Sequence, residues 1–417
     1  MLRHDYGHLD CPFYEEKLEN GLTVCFIPKS KSQLKSATLL ISQGGFLHSN
    51  EIASSKIPFG SAYYLMNMIL DEKTKQEFKK DGILIDSEID YSYVSYSLNT
   101  LDDIYLGINK LFDRINNLNI KEADIEKFKE SEKTTDKNRR LDPIFLTQDE
   151  CVKNLYLSSP IRFGYLPRFE DGVRIHASAL SKYKNCYYNR NYMTLFISLD
   201  DDVVNVMQTL SQLKIGSKVN LDEKDVIYKE EYDKVNKEYT HATSSLIPNN
   251  YLSYGIKLPP RSIIYDSYGE TTFTIYEILL KAIVTQNENF LNGLINVQSS
   301  LVDAKLKEGC EDTYIMLTFK TANETALIQF LTDYFLNLEK YTSSSQFYKL
   351  EDEIYTNSMK DLAIPSRVCY NFMRAYPNHI PYTQLIYKVT RLSYNAFSQF
   401  LKEFKGFKKA CCIVKKG

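Results

Sequence analysis

Apolar and polar positions alternate along the first forty residues in the way that predicts strands. In "YEEKLENGLTVCFIPK" (14–29) two alternating runs flank Asn20-Gly21, a dipeptide that signals a hairpin in that setting. "KSATLLISQGG" (35–45) reads as a third strand ending on two glycines. From Gly60 the spacing changes to three and four, and a helix is expected over 60–80, opening with "GSAYYLMNMIL" (60–70). "DGILIDSEIDYSYVSYSLN" (81–99) returns to alternation and predicts two strands. In 101–118 the residues Ile104, Leu106, Ile108, Leu111, Phe112 and Ile115 recur at helical spacing. A charged helix follows over 120–140, helical segments continue through 142–158, and "YYNRNYMTLFISLD" (187–200) is strand material again.

Residues 211–229 are polar and nearly aperiodic, which predicts a link between domains. Beyond them the order of elements repeats at an offset of roughly two hundred residues. Strands are expected in 232–260, a helix in 271–284, strand in 305–322, helices in 323–341 and 345–362, and a closing strand in "FKKACCIVKK" (407–416). The expected fold class is therefore α+β. It has two domains related by duplication, each a mostly antiparallel sheet with helices packed on one face. Their spans are 1–210 and 230–417, joined by the linker 211–229.

Composition narrows the function classes. The 417 residues are too many for a single core. Lys+Arg 51 against Asp+Glu 53 leaves a net charge of -2, which argues against a nucleic acid or an anionic membrane as partner. Lysine-rich runs such as "KTKQEFKK" (73–80) are interleaved with acids and read as solvated helix faces. No apolar run reaches the roughly 18–20 residues of a membrane span, and "MLRHDYGHLDCPFYEE" lacks the apolar centre of a secretory signal. A cytoplasmic location is expected. The eight cysteines are scattered without a C-x-x-C and are expected as buried free thiols.

Other chemistry finds little support. His4 and His8 in "HDYGH" stand four apart, but Gly7 lies between them, and an exposed terminal arm is the expected reading. His48, His176, His241 and His379 are isolated. No G-x-S-x-G nucleophile elbow occurs, and "SQGG" (42–45) reads as a strand end rather than a phosphate loop.

Three stretches carry a family resemblance. "LENGLTV" (18–24), "TLLISQGG" (38–45) and "GSAYYLMNMIL" (60–70) resemble the N-terminal signature of the insulinase/pitrilysin metallopeptidases. That signature is an L-x-N-G-L-x-V strand, a strand ending in glycine, and a helix bearing the inverted zinc motif H-x-x-E-H. "YYNRNYMTLFISLD" is similar to the strand entry that closes the family's first domain. Carried over position by position, the resemblance places the first zinc-ligand histidine on Tyr63, the general-base glutamate on Met66 and the second histidine on Asn67. The distal glutamate ligand falls on Lys133, or on Glu132 if the register slips by one. The family's second-domain arginine and tyrosine find no counterpart in 287–302. Phenol, thioether and carboxamide are poor zinc donors, and a thioether cannot accept a proton from water.

The resemblance thus implies no catalytic residue, no metal and no cofactor. Tyr63, Met66, Asn67, Glu132 and Lys133 would line a former zinc pocket in a substrate chamber. A chain of this length would supply half of that chamber. The expected role is a non-catalytic subunit of a heterodimeric peptidase, paired with a zinc-bearing homologue and binding peptide or precursor-protein substrate. The alternative is a stand-alone peptide-binding or scaffold protein of the same fold, as a homodimer. A third reading is a hydrolase with an unrecognised site. If the resemblance fails, Tyr63, Met66 and Asn67 are ordinary positions of an amphipathic helix.

Overall fold

A computed structural model describes residues 1–5, 9, 11–42, 57–164, 166–216, 230–244, 247, 249–260, 272–284, 288–308, 312–376 and 381–417. Part of the expected linker (217–229), most of "SQGG", and His8, His48 and His379 lie outside the described residues.

The first sheet contains β1 (Leu2–His4), β2 (Phe13–Lys17), β3 (Thr23–Phe26), β4 (Lys35–Ser42), β5 (Ile83–Ile89), β6 (Tyr93–Thr100) and β7 (Met193–Ser198). Their order is β1-β2-β3-β7-β4-β6-β5, antiparallel except for β3 beside β7. The second sheet contains β8 (Tyr239–Ser244), β9 (Asn250–Leu258), β10 (Ser299–Glu308), β11 (Thr313–Thr321) and β12 (Lys409–Lys416). Its order, β10-β11-β9-β12-β8, repeats the β5-β6-β4-β7-β3 part of the first sheet, with no counterpart of β1 and β2 among the described residues. β8 stands for β3, β12 for β7, β9 for β4, β11 for β6 and β10 for β5. The one parallel pair, β12 with β8, falls at the matching place. This is the α+β duplication that the element order predicts.

Alternation decides which face meets the helices. Leu39 and Ile41 of β4, Val94, Tyr96 and Leu98 of β6, and Leu195 and Ile197 of β7 join one core with the helices Ser61–Ile69, Ile104–Asn117 and Ala177–Tyr187. Leu252, Tyr254 and Ile256 of β9 and Ile315, Leu317 and Phe319 of β11 form the second core, with Glu324–Leu336, Ser344–Leu362 and Tyr394–Phe404.

The compact units do not follow the halves of the chain. One comprises Met1–Lys133, the described part of 165–226, and Ser358–Gln384; the other comprises Thr134–Gly164, the described part of 227–357, and Leu385–Gly417. The helix Pro143–Leu155, from the first half, covers the second sheet's other face: the Cys151 thiol donates to Ala410 O at 3.3 Å and Ser253 Oγ to Thr147 Oγ1 at 3.0 Å. The helix Pro365–Ala375, from the second half, does the same for the first sheet, through Phe372 against Phe13 (5.1 Å) and Cys369 on Ser36 O (3.5 Å). These helices occupy matching places in the two halves and have exchanged sheets.

Three local expectations change. The hairpin at Asn20-Gly21 is longer than two residues, since β2 and β3 pair only to Lys17 and Thr23. Gly21 takes φ 88, and the Asn20 amide donates to Leu210 O, Ser211 O and Leu213 O at the end of the helix Val203–Ser211. The expected helix 60–80 is two helices, Ser61–Ile69 and Glu72–Lys80, because the Asp71 carboxylate caps the second by accepting from Thr74 N–H at 2.8 Å. The terminal arm is an edge strand, β1, in which His4 stacks on Phe13 with ring centroids 4.4 Å apart.

Candidate functional site at the Ser61–Ile69 helix

Gly60 starts the helix with φ 89, and a side chain there would also meet the ring of Pro167, with Cβ atoms 2.7 Å apart. Both facts call for glycine. At the other end, Arg114 donates through Nε to Ile69 O (3.2 Å) and through Nη2 to Met68 O (3.1 Å). A cation on the last carbonyls satisfies unpaired acceptors and opposes the negative end of the helix dipole. The helix is thereby fixed at both termini. Tyr64, Leu65, Met66 and Ile69 face the core.

Its flank lies along the helix Glu122–Leu141. Phe128 packs edge-on against Tyr64, with ring centroids 4.8 Å apart, and lies 6.0 Å from Tyr63. One turn further on, the Tyr63 hydroxyl donates to Glu132 Oε1 at 3.2 Å. Glu132 is 5% exposed and lies on the buried face of this charged helix, with Ile125, Lys129 and Asp136. Of the two registers open for the distal position, Glu132 is the one beside Tyr63. Lys133 is exposed and lies over the Phe169 ring at 5.7 Å.

Met66 is buried in the core, so its thioether fills space there. Asn67 turns back on its own helix, donating from Nδ2 to Tyr63 O at 2.8 Å. Tyr63 and Glu132 are therefore brought together, Asn67 bonds the backbone of its own helix, and Met66 and Lys133 lie elsewhere. Zinc needs about three imidazole, thiolate or carboxylate donors and an open position for water. The cluster offers one carboxylate, already accepting from a phenol, and no base near a place for water. These residues do not fit the ion. Among the described residues, no group of three or more His, Cys, Asp or Glu side chains is placed to hold a metal.

Phe128 and Arg114 escape the motif reading. Phe128 stands four residues before Glu132, on the same helical face, and that spacing is the signal for it. Arg114 contacts the site helix from a different element, and nothing local in the sequence marks it. Of the described lone histidines, His176 sits 2.9 Å from Glu122 and His241 lies in β8, 6.3 Å from Tyr239 between ring centroids.

No family model matches the sequence. A curated relative, the uncharacterized zinc protease YmfH of Bacillus subtilis, is 22% identical over 205 residues, covering 46% of this chain and 47% of that protein. The aligned stretch thus spans about half the length of that relative. A putative M16-like peptidase from Alicyclobacillus acidocaldarius superposes with a TM-score of 0.85 at 14% identity, over 97% of this chain and 98% of its own. An inactive M16 peptidase domain from Pseudomonas fluorescens gives 0.73 at 10% identity, over 96% and 97%. The periplasmic protease PqqL of Escherichia coli gives 0.72 at 10% identity, covering 100% of this chain but 48% of PqqL.

The fold is that of the M16-like peptidases, the insulinase type. This chain resembles that group while carrying none of H-x-x-E-H on the matching helix.

Proposed function

We propose that the chain is the non-catalytic subunit of a heterodimeric insulinase-type peptidase, completing the chamber and helping to hold a peptide or precursor-protein substrate. The observation that carries this reading is the Tyr63–Glu132 contact on an otherwise intact scaffold. The helix starts at a positive-φ glycine, is held at its C-terminal end by Arg114 and packs into the core, and its Tyr63 hydroxyl holds Glu132. Retention of the framework without its chemistry fits a subunit whose shape is what matters. The likeness to an inactive M16 domain supports it, as does the match to half of PqqL, a protease of about twice this length.

Substrate binding in such a subunit rests on backbone. β5 and β10 stand at matching edges of their sheets, and an added peptide strand needs only unpaired N–H and C=O groups. A cytoplasmic setting is part of the proposal. The seven described cysteines are free and buried, which fits a reducing compartment. Among the described residues no helix is long and apolar enough to cross a membrane.

The test is to mix the purified chain with a zinc-bearing homologue from the same cell and follow a fluorogenic peptide alongside light scattering. The chain alone should be inactive, the mixture should form a heterodimer, and turnover should appear or rise sharply there. The triple substitution Tyr63→His, Met66→Glu, Asn67→His should not confer activity on the chain alone, since Met66 lies in the core. A homologue fully active alone that never co-elutes with this chain would sink the proposal and leave the stand-alone peptide-binding role.

A further inference from the structure

Four adjacent strands of the second sheet end at one place. β9 begins at Asn250, β10 at Ser299, β11 ends at Thr321 and β12 at Lys416. The strand ends border an open surface cleft of about 360 Å³, in which Gln298, Ser300, Lys320 and Lys416 are exposed. Its walls include Lys320, Lys416, Asn249, Asn250, Gln298 and Ser300.

The lining is one-sided in charge. Among the described residues, two lysines line the cleft and no acid does. Neither lysine has an ion-pair partner among the described residues, whereas the next lysine, Lys415, is paired with Glu324 at 2.6 Å. Asn250 Oδ1 already accepts from Lys416 N–H at 2.8 Å, which leaves its amide hydrogens as donors. The surroundings therefore offer cations and donors, in a protein whose overall charge is slightly negative.

Gln298 is the second observation. It follows the helix Glu288–Asn296 with φ 54, in the left-handed region that glycine takes most cheaply at a helix end. Its N–H donates to Ile295 O at 3.0 Å and its carbonyl accepts from Ala322 N–H at 3.2 Å. The backbone role would be filled as well or better by glycine. The glutamine side chain adds only a carboxamide on the cleft wall. Strained positions of this kind gather at binding sites.

We infer that this cleft binds the oxyanion of a small molecule, a carboxylate or a phosphate, between Lys320 and Lys416, with the Gln298 and Asn250 amides as neutral donors. It lies wholly within the second-sheet unit and stands independently of the peptidase reading.

Calorimetric titration of the full chain at low salt tests it. The probes are inorganic phosphate, an N-acetylated dipeptide with a free C-terminal carboxylate, and the same dipeptide as its amide. Saturable binding of phosphate or of the free acid, but not of the amide, is expected, and which of the two binds distinguishes the sources. Lys320→Gln and Lys416→Gln should each weaken binding roughly five- to tenfold, and added salt should weaken it further. Gln298→Gly should leave the melting temperature equal or higher while lowering affinity. Failure of both anions to bind overturns the site, as does undiminished affinity in the double lysine variant. Undiminished affinity in Gln298→Gly removes that side chain from it.

Discussion

The hydroxyl of Tyr63 stands where the family resemblance places a zinc-ligand imidazole. It gives a buried carboxylate, Glu132, a donor at 3.2 Å. Tyr63→Phe keeps the ring against Phe128 and removes that donor. A buried acceptor that loses a partner costs about 1–2 kcal/mol, and urea denaturation should read a loss of that size. A second carboxyl behaves in the opposite sense. Glu351 is 7% exposed, and its Oε1 has no hydrogen-bond partner among the described residues. Burial first, and then the neighbouring Asp352, push its pKa from 4.5 up to about 7. The folded state therefore holds this proton more tightly than the unfolded chain does. Stability falls as pH rises from 4.5 to about 7, and the loss persists above that. Glu351→Gln should stabilise the protein by ~1 kcal/mol above neutrality, after allowing for solvent screening, with the gain vanishing in acid. Denaturation curves across that pH range check the sign; a gain independent of pH would contradict it.

At the scale of elements, a single missing side chain lets a helix reach the second sheet. On Gly255 of β9 a Cβ would lie 2.6 Å from Leu155 Cδ1 and 3.1 Å from Cys151 Sγ. Gly255→Val would force the helix Pro143–Leu155 away from the sheet and strain the Ser253–Thr147 contact. Overpacking of this kind costs typically 1–3 kcal/mol, and the melting temperature should fall by several degrees. The same contact shows what the sequence could and could not reveal. Alternation made β5 legible, where Ile83 and Ile85 are buried and Leu84 and Asp86 are exposed, whereas β4 and β11, buried along nearly their whole length, were legible as short apolar runs. The repeat was legible because corresponding segments carry corresponding periods. Which sheet a helix covers leaves no such record. The apolar positions of Pro143–Leu155 and Pro365–Ala375 fit either sheet, and only Gly255 and its partners decide. In the site, the motif register puts Tyr63, Met66 and Asn67 on one helix, whereas the position of Glu132 rather than Lys133 beside Tyr63 depends on where one helix lies along another.

The exchanged helices set how the whole molecule should answer to a cut. The polar, nearly aperiodic sequence between 216 and 230 is the expected place for a protease to nick. In a simple two-domain chain such a nick would release two halves. Here the segment 134–164 belongs with the second sheet and 358–384 with the first. The first-half segment is held in several ways. Glu230 accepts from the N–H groups of Leu157, Ser158 and Ser159 at 3.1, 2.7 and 2.8 Å, and its carboxylate meets Lys257 at 2.5 Å in full burial. Tyr156 and Asn154 donate to Thr313 O and Cys411 O. Burial raises the Glu230 pKa, but the Lys257 bond and the three backbone donors outweigh it, so the carboxyl stays ionised below its ordinary range. The contact should then survive mild acid and fail only as the pH drops through that lowered value. A chain nicked between 216 and 230 is expected to run as two fragments in denaturant and to co-elute as one species without it. Fragments 1–216 and 230–417 expressed separately should be poorly soluble, each with one sheet face uncovered and one helix without its sheet. Mixed during refolding, they should recover the circular dichroism of the whole chain. Clean separation of folded halves after the nick would show that the exchange contributes little to holding the molecule together. Glu230→Gln gives the graded version of the test. It leaves the Lys257 charge buried without its counter-ion, a change worth roughly 3–5 kcal/mol, and the nicked fragments should then part at lower denaturant.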